Sequence, residues 1–333
     1  MASNVPSVTL PDTSVTAQAP QQGPASQAPF AERVIALTLR LGTGSFGASG
    51  SNTLSLTAGA QPYSSLRASV KIELASTPHP SSCVVVVYGL TLDQINQLTK
   101  AGLNYDARSN QIMVQAGDRS SGLTTIYNGE FFQAYPKASQ PDMPFVIIGN
   151  PMNGISLKPA APASFSGGIQ GQTALGQIVK SAGYVLENNG VSATLVNPYF
   201  PGTAWEQIKA CVRAMNCYAT VDSTKGVIAV WPRTGWRGSG ITVISPALGM
   251  IDYPEFDTTL VRVRTLFNPA VSGVYSVGNR FQIPRSAPGV SGTQFAAAAG
   301  QWIIISIDYD LAAQTERGPW EMVLTGYRAT PGT

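Results

Sequence analysis

Residues 203–271 permit few local folds, and the rest of the chain has to be arranged around them. Thr203 and Glu206 are spaced as a capping box, so a hydroxyl and a carboxylate can each take a backbone N–H that a helix start leaves unpaired. Trp205, Ile208, Cys211, Val212 and Met215 then recur at spacings of three and four, which is one apolar face of a helix. Residues 217–221 and 227–231 read as hairpin strands. The turn Asp222-Ser223-Thr224-Lys225-Gly226 joins them, with a glycine free to take positive φ. Residues 244–254 follow as a rigid connector, where Pro246 and Pro254 fix φ and withhold donors. Residues 260–267 set Val261 and Val263 against Arg262 and Arg264, the alternation of a strand with one wet face, and Asn268-Pro269 ends it.

The segment before this unit reads as β. Residues 34–41 and 52–57 alternate, and residues 69–74 put Val70, Ile72 and Leu74 opposite Lys71 and Glu73. Residues 83–88 form an unbroken β-branched run, expected to be a central strand buried on both faces. A short helix interrupts, with Thr91 and Gln94 as its capping box and Leu92, Ile95 and Leu98 as its apolar face. Strands resume at 111–116, 123–132 and 145–148. Further on, Thr173 is placed to cap a second helix carrying Leu175, Ile178 and Val179, and residues 191–196 read as a strand. After the connector, strands are expected at 260–267, 280–283, 302–309 and 320–327. The fold class is therefore mainly β with an inserted small α/β module. We expect four parts: an extended N-terminal arm over 1–30, a first β-barrel with a short inserted helix over 31–157, the small α/β domain over 158–245, and a second β-barrel over 246–333.

Composition narrows the setting. A chain of 333 residues is long for one ordinary core, so two or three domains are expected. Only 12% of residues are charged, against about 25% in an average soluble domain. Ser, Thr, Gln, Asn and Gly must cover the surface instead, which suits a chain whose exterior other subunits bury, although secreted β-rich proteins share the trait. The net charge of +3 is spread thinly, with no run of five like charges, so nothing points to a nucleic-acid-binding stripe. No apolar run reaches the ~18 residues of a membrane helix, and the first residues lack the basic and apolar regions of a secretory signal. We expect no stable membrane association and a cytosolic site of synthesis.

Catalytic and metal chemistry find no constellation. His79 lies in Pro78-His79-Pro80, with no partner at hand to make it a general base. Cys83, Cys211 and Cys217 are too scattered for a zinc site or a disulfide framework, and small apolar core positions account for them. Residues 42–47 match G-x-G-x-x-G, but no amphipathic helix follows to receive a phosphate. Asp252, Glu255 and Asp257 sit in a proline-punctuated stretch as solvated or turn residues. The expectation is a non-enzyme without cofactor or metal. Arg233, Trp236 and Arg237, in a glycine-bearing loop, are the expected interface anchors, because Trp and Arg often dominate binding energy. Residues 1–30 carry almost no charge and no pattern. Their Val5, Val8 and Leu10 favour an extended path that can order on a neighbouring sheet edge.

The order of these pieces carries a resemblance. A helix opened by Gly202-Thr203-Ala204-Trp205, a hairpin closing on Ala229-Val230-Trp231-Pro232, then Ile244-Ser245-Pro246, Gly249-Met250-Ile251, Tyr253-Pro254 and Leu266-Phe267-Asn268-Pro269 resembles the baseplate hub proteins of contractile-tailed bacteriophages. Tyr127-Asn128-Gly129-Glu130, Gln133-Ala134-Tyr135 and Pro141-Asp142 are similar to a segment of the first barrel of such hubs. The likeness covers roughly residues 80–280. It implies a structural virion protein of the tail baseplate, assembled in the host cytoplasm. It implies a homotrimer whose two tube-like barrels per chain make a pseudo-sixfold ring between the sixfold tail tube and the threefold central spike. Expected partners are a tube protein ring, the spike and the tape measure protein, with DNA only passing through the channel. The alternatives are a carbohydrate-binding or cell-surface adhesion protein of a tail, and a tail-attached cell-wall hydrolase.

Overall fold

The computed structural model describes residues 32–329 apart from 43, 47–49, 60–65, 102–109, 138–141, 158, 239, 258, 270–274 and 286–296. The arm expected over 1–30, with Val5, Val8 and Leu10, lies outside the described residues. The first part of the chain gives β1 (Arg33–Arg40), β2 (Thr53–Ala58), β3 (Arg67–Ala75), β4 (Ser82–Tyr88), α1 (Leu92–Ala101), β5 (Gln111–Asp118), β6 (Gly122–Pro136) and β7 (Phe145–Asn150). The middle gives α2 (Asn153–Leu157), β8 (Ala163–Ser164), β9 (Gly168–Gln170), α3 (Gly171–Ser181), β10 (Val185–Asn188), β11 (Thr194–Val196) and β12 (Tyr199–Phe200). Then come α4 (Ala204–Ala214), β13 (Cys217–Asp222) and β14 (Val227–Pro232). The last part gives β15 (Ile241–Val243), β16 (Met250–Phe256), β17 (Leu260–Leu266), β18 (Arg280–Ile283), β19 (Gly300–Ala313) and β20 (Trp320–Arg328). The chain is thus mainly β with a small α/β module.

The first and last parts share one sheet of 13 strands, ordered β16-β17-β20-β19-β3-β4-β7-β6-β5-β1-β2, with β18 and β15 attached beside β19. Among the described residues no pairing joins its two ends. The fusion comes from the length of β19. On one edge this 14-residue strand pairs with β20. On its other edge it pairs first with β18, through residues 300–303, and then with β3, from Ser306 opposite Ala75 to Ala313 opposite Ala68. The ladder with β20 slips between Ile304 and Ser306, an extra residue that bends the strand between its two partners. Ile305 itself accepts a bond from the Ser76 N–H at 2.9 Å. One apolar core runs beneath both parts, from Ile35, Val70 and Val85 to Phe281, Trp302 and Leu324. Strand β15, counted by sequence with the α/β part, is in this sheet as the parallel neighbour of β18.

The α/β module has a three-stranded sheet, β10-β14-β13, with β10 parallel and β13 antiparallel to β14. Leu175, Ile178 and Val179 of α3 and Trp205, Ile208, Cys211 and Val212 of α4 pack with Ala219, Val221, Ile228 and Val230. The opposite residues of β14, Ala229 and Trp231, belong to the core of the large sheet. Strand β14 is therefore buried on both faces and joins two cores. The loop after β3 fastens this hairpin: Thr77 N–H donates to Ala219 O at 2.8 Å, Ala219 N–H to Thr77 Oγ1 at 3.1 Å, and Thr220 Oγ1 to Ala75 O at 3.1 Å.

Helix α4 has the expected capping box, with Glu206 N–H donating to Thr203 Oγ1 at 3.3 Å and Thr203 N–H to Glu206 Oε2 at 2.8 Å. Its Trp205 is 8% exposed. Trp205→Ala is expected to cost about 3 kcal/mol in urea unfolding, the low end for a buried aromatic because its edge reaches solvent. A loss below about 1 kcal/mol would mean that the ring contributes little packing.

Four local expectations are corrected. Helix α3 starts at Gly171, so Thr173 lies inside it and caps nothing; a Cβ on Gly171 would stand 2.4 Å from Met215 Sδ, so close helix packing sets the start. Strand β4 is buried only through Cys83, Val85 and Val87, while Val84 and Val86 are half-buried on the outward face. Only residues 194–196 of the strand expected over 191–196 pair, because Asn188 Oδ1 takes the Val191 N–H at 2.8 Å and turns the chain. The second half of the connector is the edge strand β16, where Pro254 is tolerated because an edge residue can leave a donor unused.

Candidate assembly interface

The loop after β14 carries Arg233, Trp236 and Arg237, and the three have different fates. Arg233 is exposed, and its guanidinium stacks 4.9 Å from the Tyr218 ring. Tyr218 in turn tilts against Tyr327 at 5.6 Å and Trp231 at 6.2 Å. Trp236 is half-buried, with the Arg280 guanidinium 4.0 Å from its ring centroid. The Tyr327 hydroxyl donates to Gly235 O at 3.3 Å, so β20 holds the loop down. Arg233 and Trp236 thus form the rim of an aromatic seam between the small and large sheets. Their flat faces are fixed by cation–π and ring contacts and need little further ordering to meet a partner.

Arg237 is turned inward, contrary to its expected surface role. Its side chain is 5% exposed, and it forks onto Glu187, Nε to Oε1 and Nη2 to Oε2, both at 2.7 Å. Nη2 also reaches Asp222 Oδ2 at 3.0 Å. Its backbone N–H donates to Gly278 O at 2.7 Å. Gly278, at φ +93°, leaves the room: a Cβ there would lie 2.9 Å from Arg237 Cβ and 3.0 Å from the Trp231 ring. The Arg237 fork holds the Glu187 carboxyl below the usual range. Burial alone would raise Asp222, but the Thr224 hydroxyl and Arg237 outweigh it and hold that carboxyl low as well. This cluster fastens β10, the β13–β14 turn and the following loop to one another.

The sequence reading missed two surfaces. Residues 159–179 and 188–205 contain no charged residue, and they form the ribbons β8–β12 and β9–β11. These ribbons expose Val196 at 74% and Tyr199 at 61%. Their tip is built firmly: Gly167 N–H donates to Asn197 Oδ1 at 2.6 Å, and Asn197 N–H to Gly167 O at 2.8 Å. The gap in charge was the available signal. The second surface is the β16 edge, where Leu248, Tyr253, Phe256, Leu260 and Leu266 are exposed. The period-2 alternation marked β17, but not the row of leucines at its ends.

No catalytic or metal arrangement comes together among the described residues, and no group of three or more His, Cys, Asp or Glu is placed to hold a metal there. Burial pushes the Cys211 thiol up to about 12 and the Cys217 thiol up to about 11, so both behave as core side chains. Asp252 and Glu255 sit on the exposed edge, 3.3 Å from Arg264 and 3.9 Å from Arg262. Among the described residues no helix is long and apolar enough to cross a membrane.

The family described as baseplate hub gp41 matches residues 53–318. No curated protein matches the chain. Two solved structures share the fold. A tail protein from Neisseria meningitidis MC58 superposes with a TM-score of 0.55 at 10% identity, covering 88% of this chain and 96% of its own. The 43 kDa tail protein of prophage MuSo2 from Shewanella oneidensis has a TM-score of 0.55 at 10% identity, covering 90% of this chain and 97% of its own.

Proposed function

The chain belongs to the baseplate hub gp41 family, and from that premise we propose that it is the adaptor at the centre of a contractile tail's baseplate. As a member of that family it is a structural component of the virion tail. In the proposed role three copies form a closed ring. Each copy contributes two similar β segments, so that three chains present six units to a sixfold tube and threefold symmetry to a central spike. The tape measure protein and DNA contact only the channel. The observation that carries this reading is the single sheet in which the 32–157 and 241–329 strands are joined through β3 and β19. Two segments locked this way move as one rigid body, which a force-bearing connector between symmetries requires. We assign Arg233, Trp236 and the N-terminal Val5, Val8 and Leu10 to subunit contacts. The low charge content fits broad interfaces with uncharged centres.

The test is imaging of purified tails together with a copy count. The expected result is density for this chain on the tail axis, in about three copies, between tube and spike. A peripheral position, or a copy number matching the fibres, would sink the adaptor reading. Specific binding of the isolated chain to a glycan array would favour an adhesin instead.

A further inference from the structure

The outward face of the large sheet has a charge pattern that the adaptor role does not use. On β19, Asp308 stands directly opposite Glu73 of β3, and Asp310 stands opposite Lys71. Further along the same rows, Asp308 faces Val323 and Asp310 faces Glu321 of β20, and these lie beside Arg264 and Leu266 of β17. The cations of this face already hold acids: Lys71 lies 3.4 Å from Asp310, Arg264 2.8 Å from Glu321 and 3.3 Å from Asp252, and Arg262 3.9 Å from Glu255. Ser82 of β4 is the far neighbour of Glu73, and Ser306 and Thr325 are the other polar groups around Asp308. Arg262 acts on Asp308 only as a distant positive charge, and the net effect of burial first and Glu73 second is to raise the Asp308 carboxyl. Glu73 and Asp308 are therefore the surplus acids of the face.

Their place matters. Among the described residues the β3–β19 ladder is the one pairing that joins the 32–157 strands to the 241–329 strands in the large sheet. Like charges directly opposite each other on neighbouring strands oppose the pairing. We propose that Glu73 and Asp308 make this ladder an acid-tightened seam: with both carboxyls ionised their repulsion opposes the β3–β19 pairing, and a proton on Asp308 at lower pH relieves it and tightens the joint between the two parts of the sheet. The sign follows from linkage. A carboxyl whose folded-state affinity for a proton is raised destabilises at high pH and regains that stability as pH falls through its folded value.

Urea is the denaturant of choice, because it adds no ions to screen the pair. The full chain and its Asp308→Asn and Glu73→Gln variants would be unfolded in urea at steps from pH 8 to about pH 4, the ordinary carboxylate range. At pH 8 each single variant is expected to show a folded-to-unfolded ratio about twofold to fivefold above the parent. That gain should shrink as pH falls and Asp308 takes up its proton, and the double variant should gain no more than either single one. A gain that stays constant across the pH range, or an Asp308→Asn variant less stable than the parent at pH 8, would overturn the proposal, since a carboxylate needed as a structural acceptor behaves that way.

Discussion

Trp231→Ala is expected to lower stability by about 4 kcal/mol, in the range for truncation of a fully buried large aromatic. Trp231 is 0% exposed and belongs to the core beneath the large sheet. Its neighbours along β14, Ile228 and Val230, belong to the core under α3 and α4. The ring also lies against Tyr218, at 6.2 Å between centroids, and against the bare backbone of Gly278. Removing it empties a volume that rigid strands on both sides cannot close, because β13 and the main core hold their own contacts. The loss should also weaken the coupling between the two cores. The parent is expected to unfold in urea as one transition, with circular dichroism and tryptophan fluorescence coincident. The variant should show the α/β module unfolding at lower urea than the large sheet. A single transition displaced by less than about 1 kcal/mol would show that Trp231 does not join the cores.

What the sequence could reveal follows from the range of each force. Helix α4 was legible because its signals are local: a capping box and an apolar stripe lie within 13 residues. Strands β3 and β17 were legible because Val70 with Ile72, and Val261 with Val263, alternate against charges. Strand partners are not written in such periods. Nothing in the sequence of β19 says that residues 300–303 pair with β18 while residues 306–313 pair with β3, so the continuity of one sheet from the first part of the chain to the last was not legible. Strand β10 escaped notice because Val185-Leu186-Glu187-Asn188 is short, with Val185 and Asn188 exposed and Leu186 and Glu187 half-covered, and has no alternation to read. The direction of Arg237 was illegible for the same reason. Glu187 is 50 residues away, and the room for the guanidinium depends on Gly278 lacking a Cβ. Exposed Arg233 and buried Arg237 have the same residue type in the same loop, and only tertiary partners separate them.

That buried arginine gives the second large effect. Arg237→Ala is expected to cost about 3 kcal/mol, since removing the buried partner leaves Glu187 unpaired and Asp222 with only the exposed Lys225. The value lies at the low end because the Glu187 side chain is 34% exposed and water can reach it. Arg237→Lys should recover only part of the loss, because an ammonium cannot repeat the fork that engages both Glu187 oxygens and Asp222 together. Arg237→Met should not rescue the fold, as it fills the space but leaves Glu187 without its fork and Asp222 with only the exposed Lys225, 3.5 Å away. The pH dependence has a definite sign. The Glu187 and Asp222 carboxyls are both held below their ordinary values, so the folded state binds fewer protons than the unfolded chain. Their contribution is present in full above the unfolded carboxyl range, and it is lost as pH falls through the lowered folded values. The parent should therefore lose stability steeply below about pH 4, the opposite sign to the Asp308 seam, which tightens as pH falls. In Arg237→Ala the depression is relieved and the slope between pH 5 and pH 3 should flatten. Urea midpoints at half-unit steps would measure it. A variant within 1 kcal/mol of the parent, or one that keeps the parental acid slope, would mean that the cluster does not hold β10 to the hairpin turn.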